Sequence, residues 1–482
     1  MENSKLIKSL KCLSQEEIQS FRAFVHSPYF NSSQKLIIFL DTILAGYMTE
    51  DGLPGRAKQS KAFAGSRVQD IMHRLMNLLE QFLAFEKMKE NAFIQKLHLM
   101  NAAYEKEIGP MIKGIEKDLD TLLDQRTFRD NNYFYESYQI HAERDYSFRI
   151  LGKITENSSL QNKTGQLDLF YLSLKLKDSC ELLNRRNIVS ANYDFRLADT
   201  LVGYLKEYPE GYQEHPAIKI YLDIYTMLSE EENESYFFSL VELVRKNEAF
   251  FPQEELLTMY TYLQNYCIRR VNQAKPQFFL HLFEIYKHIL GNGLVFGNNK
   301  NMQWDFKNFV SLGLRIKEYD WTLNIIDQFK DKLPSFIKVN AYSYNLANYY
   351  YETGAYKKAT KLLNSVDFTD IYYSLGAKAM LLKIYYQVEE AESFYALVSS
   401  FGIYLRRNKL ISKDNLEVYN NLLRFTKKAF ILKTKLPYEQ KKDHFKKIGL
   451  LKQALQSTQK VANINWLMEE LEILGKAGNL SD

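Results

Sequence analysis

The chain is poor in the residues that interrupt helices. Its 482 residues include only 9 Pro and 20 Gly. In a helix interior these cost roughly 3 and 1 kcal/mol relative to Ala, so their scarcity favours an all-α fold. Cysteine is scarcer still. Cys12, Cys180 and Cys267 lie far apart and no CxxC occurs, which argues against a disulfide framework or a zinc knuckle. No window approaches the ~18 uninterrupted apolar residues of a membrane-spanning helix. The opening MENSKLIKSLKCLSQEE has lysines but no apolar core of the kind a signal peptide needs. A cytoplasmic location and no membrane partner are therefore expected. A P-loop lysine motif, an HExxH, a nucleophile elbow and a kinase signature are all missing. The expectation is a protein that is not an enzyme and needs no cofactor, although an active site assembled from distant residues would leave no mark of this kind.

Hydrophobic residues make up 46% of the chain and charged residues 25%, the balance of a globular protein. The length suits about three domains of ~150 residues. Tyr and Phe are abundant, at 34 and 31. An aromatic binding surface is one reading of that excess; core packing in a Tyr-rich helical repeat is the plainer one. The net charge is +5, unevenly spread: residues 402–460 hold 15 Lys and Arg against 4 Asp and Glu. Such asymmetry implies an acidic partner or a set of solvated helix faces.

Along the chain, Ser14-Gln-Glu-Glu17 has the form of a capping box ahead of an apolar-periodic run ending near Val25. HSPYFN (His26–Asn31) follows, and Pro28 biases Ser27 away from helix, so a break is expected there. A second helix is predicted over Ser33–Tyr47 and a loop over TEDGLPGRAKQS. Val68, Ile71, Met72, Leu75, Met76, Leu79, Phe82 and Leu83 form the stripe of a long helix over Ser66–Lys87. Two or three more helices reach Ile150. The polar stretch Lys153–Gln166 reads as a loop and domain boundary. From Leu167 the pattern becomes pairs of helices of about 12–20 residues, without alternating strand signals.

Three constellations invite a chemical reading. His281, Glu284 and His288 share one helix face, a set able to hold a transition metal. The apolar residues of that helix occupy the opposite face, so a solvated surface is expected instead. Gly291, Gly293 and Gly297 give GxGxxxG, one residue longer than a dinucleotide fingerprint and without the preceding strand that such a turn requires. YLRRNK, RFTKK and KKDHFKK place cations among aromatics, and nucleic acid needs both. Arg406, Arg407 and Lys409 are the candidate residues of this basic surface.

The most ordered stretch is NAYSYNLANYYYETGAYKKATKLLNSV, from Asn340 to Val366. Taking Tyr356 as anchor, the equivalent positions are Tyr319, 37 residues earlier, and Ala391, 35 residues later. Two helices that cross closely need small residues, here Ala347 and Ala359, where their backbones approach. Tyr350 and Leu363 fill the space between pairs, and Gly354 can take the left-handed conformation that ends the first helix. One pair cannot bury its own apolar face; several stacked pairs can.

With Leu346, Ala347, Tyr350, Gly354, Tyr356, Ala359 and Leu363 at the motif's positions, the stretch resembles a tetratricopeptide repeat. The flanking units match in part. The earlier keeps Phe309, Tyr319, Ile326, Phe329 and Pro334 but has Gly313 in place of an aromatic and Thr322 in place of Ala. The later keeps Leu381, Tyr385 and Phe401 but has Glu389 in place of Gly. Through HSPYFN, NYCIRR and YLRRN the whole chain resembles a group of bacterial helical-repeat proteins of uncharacterised role. The resemblance implies a right-handed α-solenoid of antiparallel pairs over 153–430, with its best repeats at about 303–336, 340–373 and 375–408. An N-terminal helical module (1–152) precedes it and a basic helical cap (431–482) closes it, ending in an amphipathic helix with Trp466, Leu467, Leu471 and Leu474. It further implies a scaffold or adaptor that binds a peptide or partner helix on a concave face lined by the first helix of each pair. Trp304, Lys307 and Arg315, then Tyr344, Asn348 and Tyr351, then Lys383 and Tyr386 fall on that face. The alternative is a nucleic-acid-associated or regulatory protein that uses the basic C-terminal surface.

Overall fold

The computed structural model describes residues 4–47, 68–150, 158–189, 192–212, 214–296, 302–364, 371–435 and 441–477. Among them there are twenty-two α-helices, one short 3-10 turn and no strand, so the all-α expectation holds. None of the described helices is long and apolar enough to cross a membrane. The predicted loop over residues 49–60, the start of the polar stretch at 153–157, and Gly297 lie outside the described residues.

The chain divides into two compact units. The first comprises Met1–Ser229 with Arg245–Phe251, the second Glu230–Val244 with Pro252–Asp482. In the first unit, α1 (Lys5–Leu10), α2 (Gln15–His26), α3 (Gln34–Tyr47) and α4 (Val68–Lys89) share one core. Leu10, Phe21, Phe39, Leu40, Leu75, Leu79 and Phe82 are almost wholly buried in it. The capping box forms as expected: Glu17 N donates to Ser14 Oγ at 3.2 Å and Ser14 N to Glu17 Oε2 at 2.6 Å. HSPYFN does break the helix. Asn31 Nδ2 donates to the Val25 carbonyl at 2.9 Å, and the Phe30 ring stacks on Phe24 at 3.9 Å, which ties the turn back onto α2.

Three helices continue the unit: α5 (Ala92–Glu105), α6 (Gly109–Asp124) and α7 (Asn131–Ile150). The polar stretch read as a loop departs from expectation. Helix α8 begins at Ser158 and runs to Val189. Its polar first turns pack beside α7, where Lys163 Nζ meets the buried Asp145 carboxylate at 2.7 Å. A polar sequence does not forbid helix when tertiary contacts supply the stability. α9 (Ala198–Glu207) and α10 (Pro216–Ser229) both pack on α8.

The second unit holds α11 (Ser235–Lys246) up to Val244, then α12 (Gln253–Asn272) and α13 (Phe278–Gly291). NYCIRR lies in α12, and its last arginine, itself buried, anchors an ionic cluster of half-exposed partners. Arg270 is fully buried, with Nη2 2.6 Å from Glu234 Oε1 and Nη1 2.8 Å from Gln273 Oε1. Lys275 Nζ reaches the same Glu234 oxygen at 2.6 Å, and the two cations hold that carboxyl below its usual range.

Next come α14 (Met302–Arg315), α15 (Tyr319–Phe329), α16 (Ser335–Glu352), α17 (Tyr356–Leu363), α18 (Ile371–Gln387) and α19 (Ala391–Arg407). Each of the pairs α14/α15, α16/α17 and α18/α19 is in contact. So are α14 with α16 and α16 with α18, and α15 and α17 each touch the helix that follows. α20 (Lys413–Lys435), α21 (Lys441–Gln456) and α22 (Ile464–Ala477) end the unit, and all three share contacts.

The same backbone device ends the first helix of each of these pairs. Lys317, Gly354 and Glu389 have φ of +65°, +76° and +56°, at the two spacings read from the sequence. At Gly354 the bonds are those of a Schellman cap: Ala355 N to Tyr350 O at 2.7 Å and Gly354 N to Tyr351 O at 3.1 Å. Lys317 and Glu389 adopt the left-handed conformation although only Gly does so without steric cost.

Gly313 and Thr322, two departures from the repeat pattern, explain each other. A Cβ on Gly313 would overlap Thr322 Oγ1 and stand 3.0 Å from the Trp321 ring. Thr322 is itself fully buried, its hydroxyl donating to the Glu318 carbonyl at 2.6 Å. The small residue has moved from α15 to α14 and the close crossing is kept. Gly313→Ala is therefore expected to cost roughly 1–3 kcal/mol by overpacking. Adding Thr322→Ala should recover part of that loss, and a double-mutant cycle in urea measures the coupling. Strictly additive losses would contradict the contact.

Candidate partner-binding cavity

The C-terminal turns of α14, α16 and α18 come together in the second unit. Arg315 ends α14; Asn348 and Tyr351 lie in the last turns of α16, and Lys383 and Gln387 in those of α18. These side chains line one side of a cavity of about 810 Å³. Helix C-termini carry partial negative charge and favour cations beside them, which suits Arg315 and Lys383. The remaining wall belongs to the turn before α22 and its first turns, through Asn463, Trp466, Glu469 and Glu470.

Lys383 is the central cation. Its Nζ lies 4.2 Å from the Tyr351 ring centroid and 5.9 Å from that of Trp466. These rings are its close partners, since the ammonium has no hydrogen bond or ion pair among the described residues. Burial pulls its pKa down; the charges of Glu352, Glu469 and Glu470 act against that. Glu470 is only 6% exposed and accepts a hydrogen bond from Gln387 Nε2. Its burial raises its pKa, opposed by the Gln387 hydrogen bond and by Lys433. The cavity is thus polar and of mixed sign, with Arg315, Lys317 and Lys383 facing Glu352, Glu469 and Glu470.

Of the eight residues expected on a binding face, Arg315, Asn348, Tyr351 and Lys383 meet in this cavity. Tyr351 has a double part, because it is 8% exposed and belongs to the core cluster of Ala347, Ala359 and Leu363 as well. Trp304, Lys307 and Tyr344 gather elsewhere. The Trp304 ring lies parallel to Tyr373 at 6.1 Å, and Tyr344 meets Tyr373 edge-on at 5.4 Å. Lys307 Nζ sits 5.9 Å from the Trp304 ring and 5.7 Å from that of Tyr344. Tyr344 presses against Gly376, where a Cβ would come within 2.7 Å of its hydroxyl, and burial lifts its phenol to about 12. This cluster joins α14, α16 and α18 as packing.

Tyr386 is not available to a partner at all. It is 0% exposed, with its ring against Trp466 at 5.3 Å and Phe430 at 5.9 Å and Lys433 Nζ 4.7 Å from its centroid. The repeat register assigned it to the open face; the C-terminal helices cover it. Trp466, Glu469 and Glu470 were not anticipated as cavity residues. The apolar periodicity of α22 identified its buried stripe, Leu467, Leu471 and Leu474, but nothing in that periodicity says what stands opposite.

Arg406, Arg407 and Lys409 are exposed at the end of α19 and just beyond it, with no ion pair among the described residues. Two other cations of the basic region are neutralised. Lys460 meets Asp414 at 2.7 Å and Glu417 at 3.4 Å, and Lys433 meets Glu389 at 3.4 Å.

His281, Glu284 and His288 do not converge. His281 packs edge-on against Phe237, Phe238 and Phe278, Glu284 pairs with Lys287 at 3.1 Å, and His288 lies 3.1 Å from Asn292 Nδ2. The two histidines are half-buried against rings, not solvated as expected. No group of three or more potential metal ligands occurs among the described residues. Gly293 closes α13 with φ +67°, and Gln253 Nε2 clamps that turn through the carbonyls of Leu294 and Phe296, both at 2.8 Å.

No protein-family model matches the chain, and no curated protein or solved structure is significantly similar to it.

The buried Glu470 carboxyl gives the cavity a pH signature. A carboxyl with a raised folded pKa penalises the fold once pH exceeds the unfolded value of about 4.3. Glu470→Gln is expected to stabilise the protein at pH 7, and the gain should shrink as pH falls toward 4. Chemical denaturation across that range tests it; a gain independent of pH would show that charge burial is not the cause.

Proposed function

We propose that the chain is a non-catalytic protein-interaction scaffold or adaptor, built on a tetratricopeptide-like right-handed solenoid of antiparallel helix pairs. Its partner is a peptide or helix bound in the cavity of α14, α16, α18 and α22. The observation that carries this reading is the convergence of Arg315, Asn348, Tyr351 and Lys383, from three successive first helices, on one cavity of about 810 Å³. The repeated contacts of α14, α16 and α18 and the recurrent left-handed caps support the architecture. Asn348 brings an amide that donates and accepts, suited to a peptide backbone. Lys383 brings an ammonium with spare donor capacity, and Tyr351 and Trp466 bring rigid amphipathic rings.

Affinity capture from cell lysate, comparing the wild type with Asn348→Ala plus Lys383→Met, tests this. Partners of the cavity should drop about tenfold or more in the double variant, while its melting temperature stays within a few degrees. An unchanged set of partners would remove the proposal.

A second reading draws on Arg406, Arg407 and Lys409, which are exposed and have no ion pair among the described residues. On this reading the surface binds nucleic acid through phosphates. Binding to generic duplex DNA or RNA should then fall steeply with salt. Charge reversal of the three residues should flatten the log–log slope by about 0.9 for each phosphate no longer neutralised. A slope that does not change would discard this reading.

A further inference from the structure

The cleft between α20 and α21 lies outside the cavity described above. Its floor is aliphatic, formed by Ile431 and Leu432 from one helix and Leu450 and Leu451 from the other, with Lys428 and Lys447 also lining it; its volume is about 330 Å³. The two helices contribute the same pattern. Lys428 precedes Ile431 and Leu432, and Lys447 precedes Leu450 and Leu451, in each case by three and four positions. At that spacing a lysine stands one turn before two apolar neighbours on the same face. Each wall therefore presents an ammonium beside an aliphatic pair. Leu450 is 58% exposed, whereas Leu432 and Leu451 are recessed at 8% and 7%.

Charge narrows the choice of occupant. Residues 402–460 carry 15 cations against 4 acids, and two of those acids, Asp414 and Glu417, are taken up by Lys460. A partner of opposite sign is drawn toward such a surface and fixed in register by it. Shape narrows it further. Adsorption to a bilayer uses apolar side chains that protrude, and here most of the aliphatic residues line a recess. Single-stranded nucleic acid seeks rings on which to stack, and no aromatic side chain lines the cleft among the described residues. A small polar ligand is oriented by convergent polar groups; among the described residues lysines are the sole polar side chains lining this cleft.

We infer that the cleft between α20 and α21 is a second docking site, which receives an acidic amphipathic helix of a protein partner. Aliphatic anchors of that helix enter between Ile431 and Leu450, and a flanking carboxylate meets the exposed Lys428. This is the helix-in-groove mode of recognition, read from the partner as apolar residues at i, i+3 or i+4, and i+7.

The experiment uses the full-length chain and a fluorescein-labelled synthetic helix with Leu on one face and Glu on the other. Its controls are a scrambled peptide of the same composition, vesicles of phosphatidylglycerol and phosphatidylcholine, and duplex DNA. At physiological salt, where exposed charges more than ~8 Å apart are screened, anisotropy should show the amphipathic peptide binding about tenfold or more tightly than the scrambled one. Leu450→Glu should weaken that binding about tenfold, Lys428→Glu should weaken it several-fold, and both variants should keep the wild-type melting temperature because both side chains are exposed. Asn348→Ala plus Lys383→Met should leave this affinity unchanged, which separates the cleft from the cavity. Equal binding of the scrambled peptide, binding of vesicles or DNA without binding of the peptide, or indifference to Leu450→Glu would each overturn the inference.

Discussion

The second unit depends on how closely its consecutive helices approach. A close crossing needs a position without bulk, and each crossing obtains it by its own route. In α16/α17 the small residues are Ala347 and Ala359, both fully buried. In α14/α15 a glycine on one helix makes room for a threonine and a tryptophan on the other. Further along, Gly376 admits the Tyr344 ring. Interiors are packed so densely that one methyl group is felt, so these positions set the distance between helices. The larger side chains then fill what is left, and Tyr351, Leu363, Ala377 and Leu381 form one continuous core across α16, α17 and α18.

That packing decides which side chains reach the cavity. Three successive helices are held in contact, so their C-terminal turns lie side by side and Arg315, Asn348 and Lys383 share one cavity. The cavity keeps an internal electrostatic balance, with Lys383 between two rings and the buried Glu470 held by Gln387. Lys383 is half-buried, and burial disfavours its charged form while the nearby Glu352, Glu469 and Glu470 favour it.

Much of this architecture was legible along the chain. Scarce Pro and Gly, stripes of period 3.6 and a capping box at Ser14 located most of the helices. The spacings around Tyr356 reappear in the left-handed residues Lys317, Gly354 and Glu389. Other features could not be read. Residues 158–166 looked like a loop because polar composition was the only cue, and the pairing of Lys163 with Asp145 is a tertiary matter. His281 and His288 looked solvated because a helix wheel cannot know that rings of neighbouring helices stand opposite.

The sequence by itself determined the class of fold, the helices and the small-residue positions, because these follow from local propensity and from periodicity within a few turns. It also selected, from the repeat register, four residues that do share a cavity. Only the tertiary structure decided the fate of the other four. Trp304, Lys307 and Tyr344 were drawn into a cluster around Tyr373, and Tyr386 was covered by α20 and α22. The same long-range packing brought Trp466 and Glu470 to within reach of Lys383 and Gln387, about eighty residues earlier in the chain. Periodicity says which side of a helix is apolar; which helix comes to lie against it is settled by the summed packing of the whole unit.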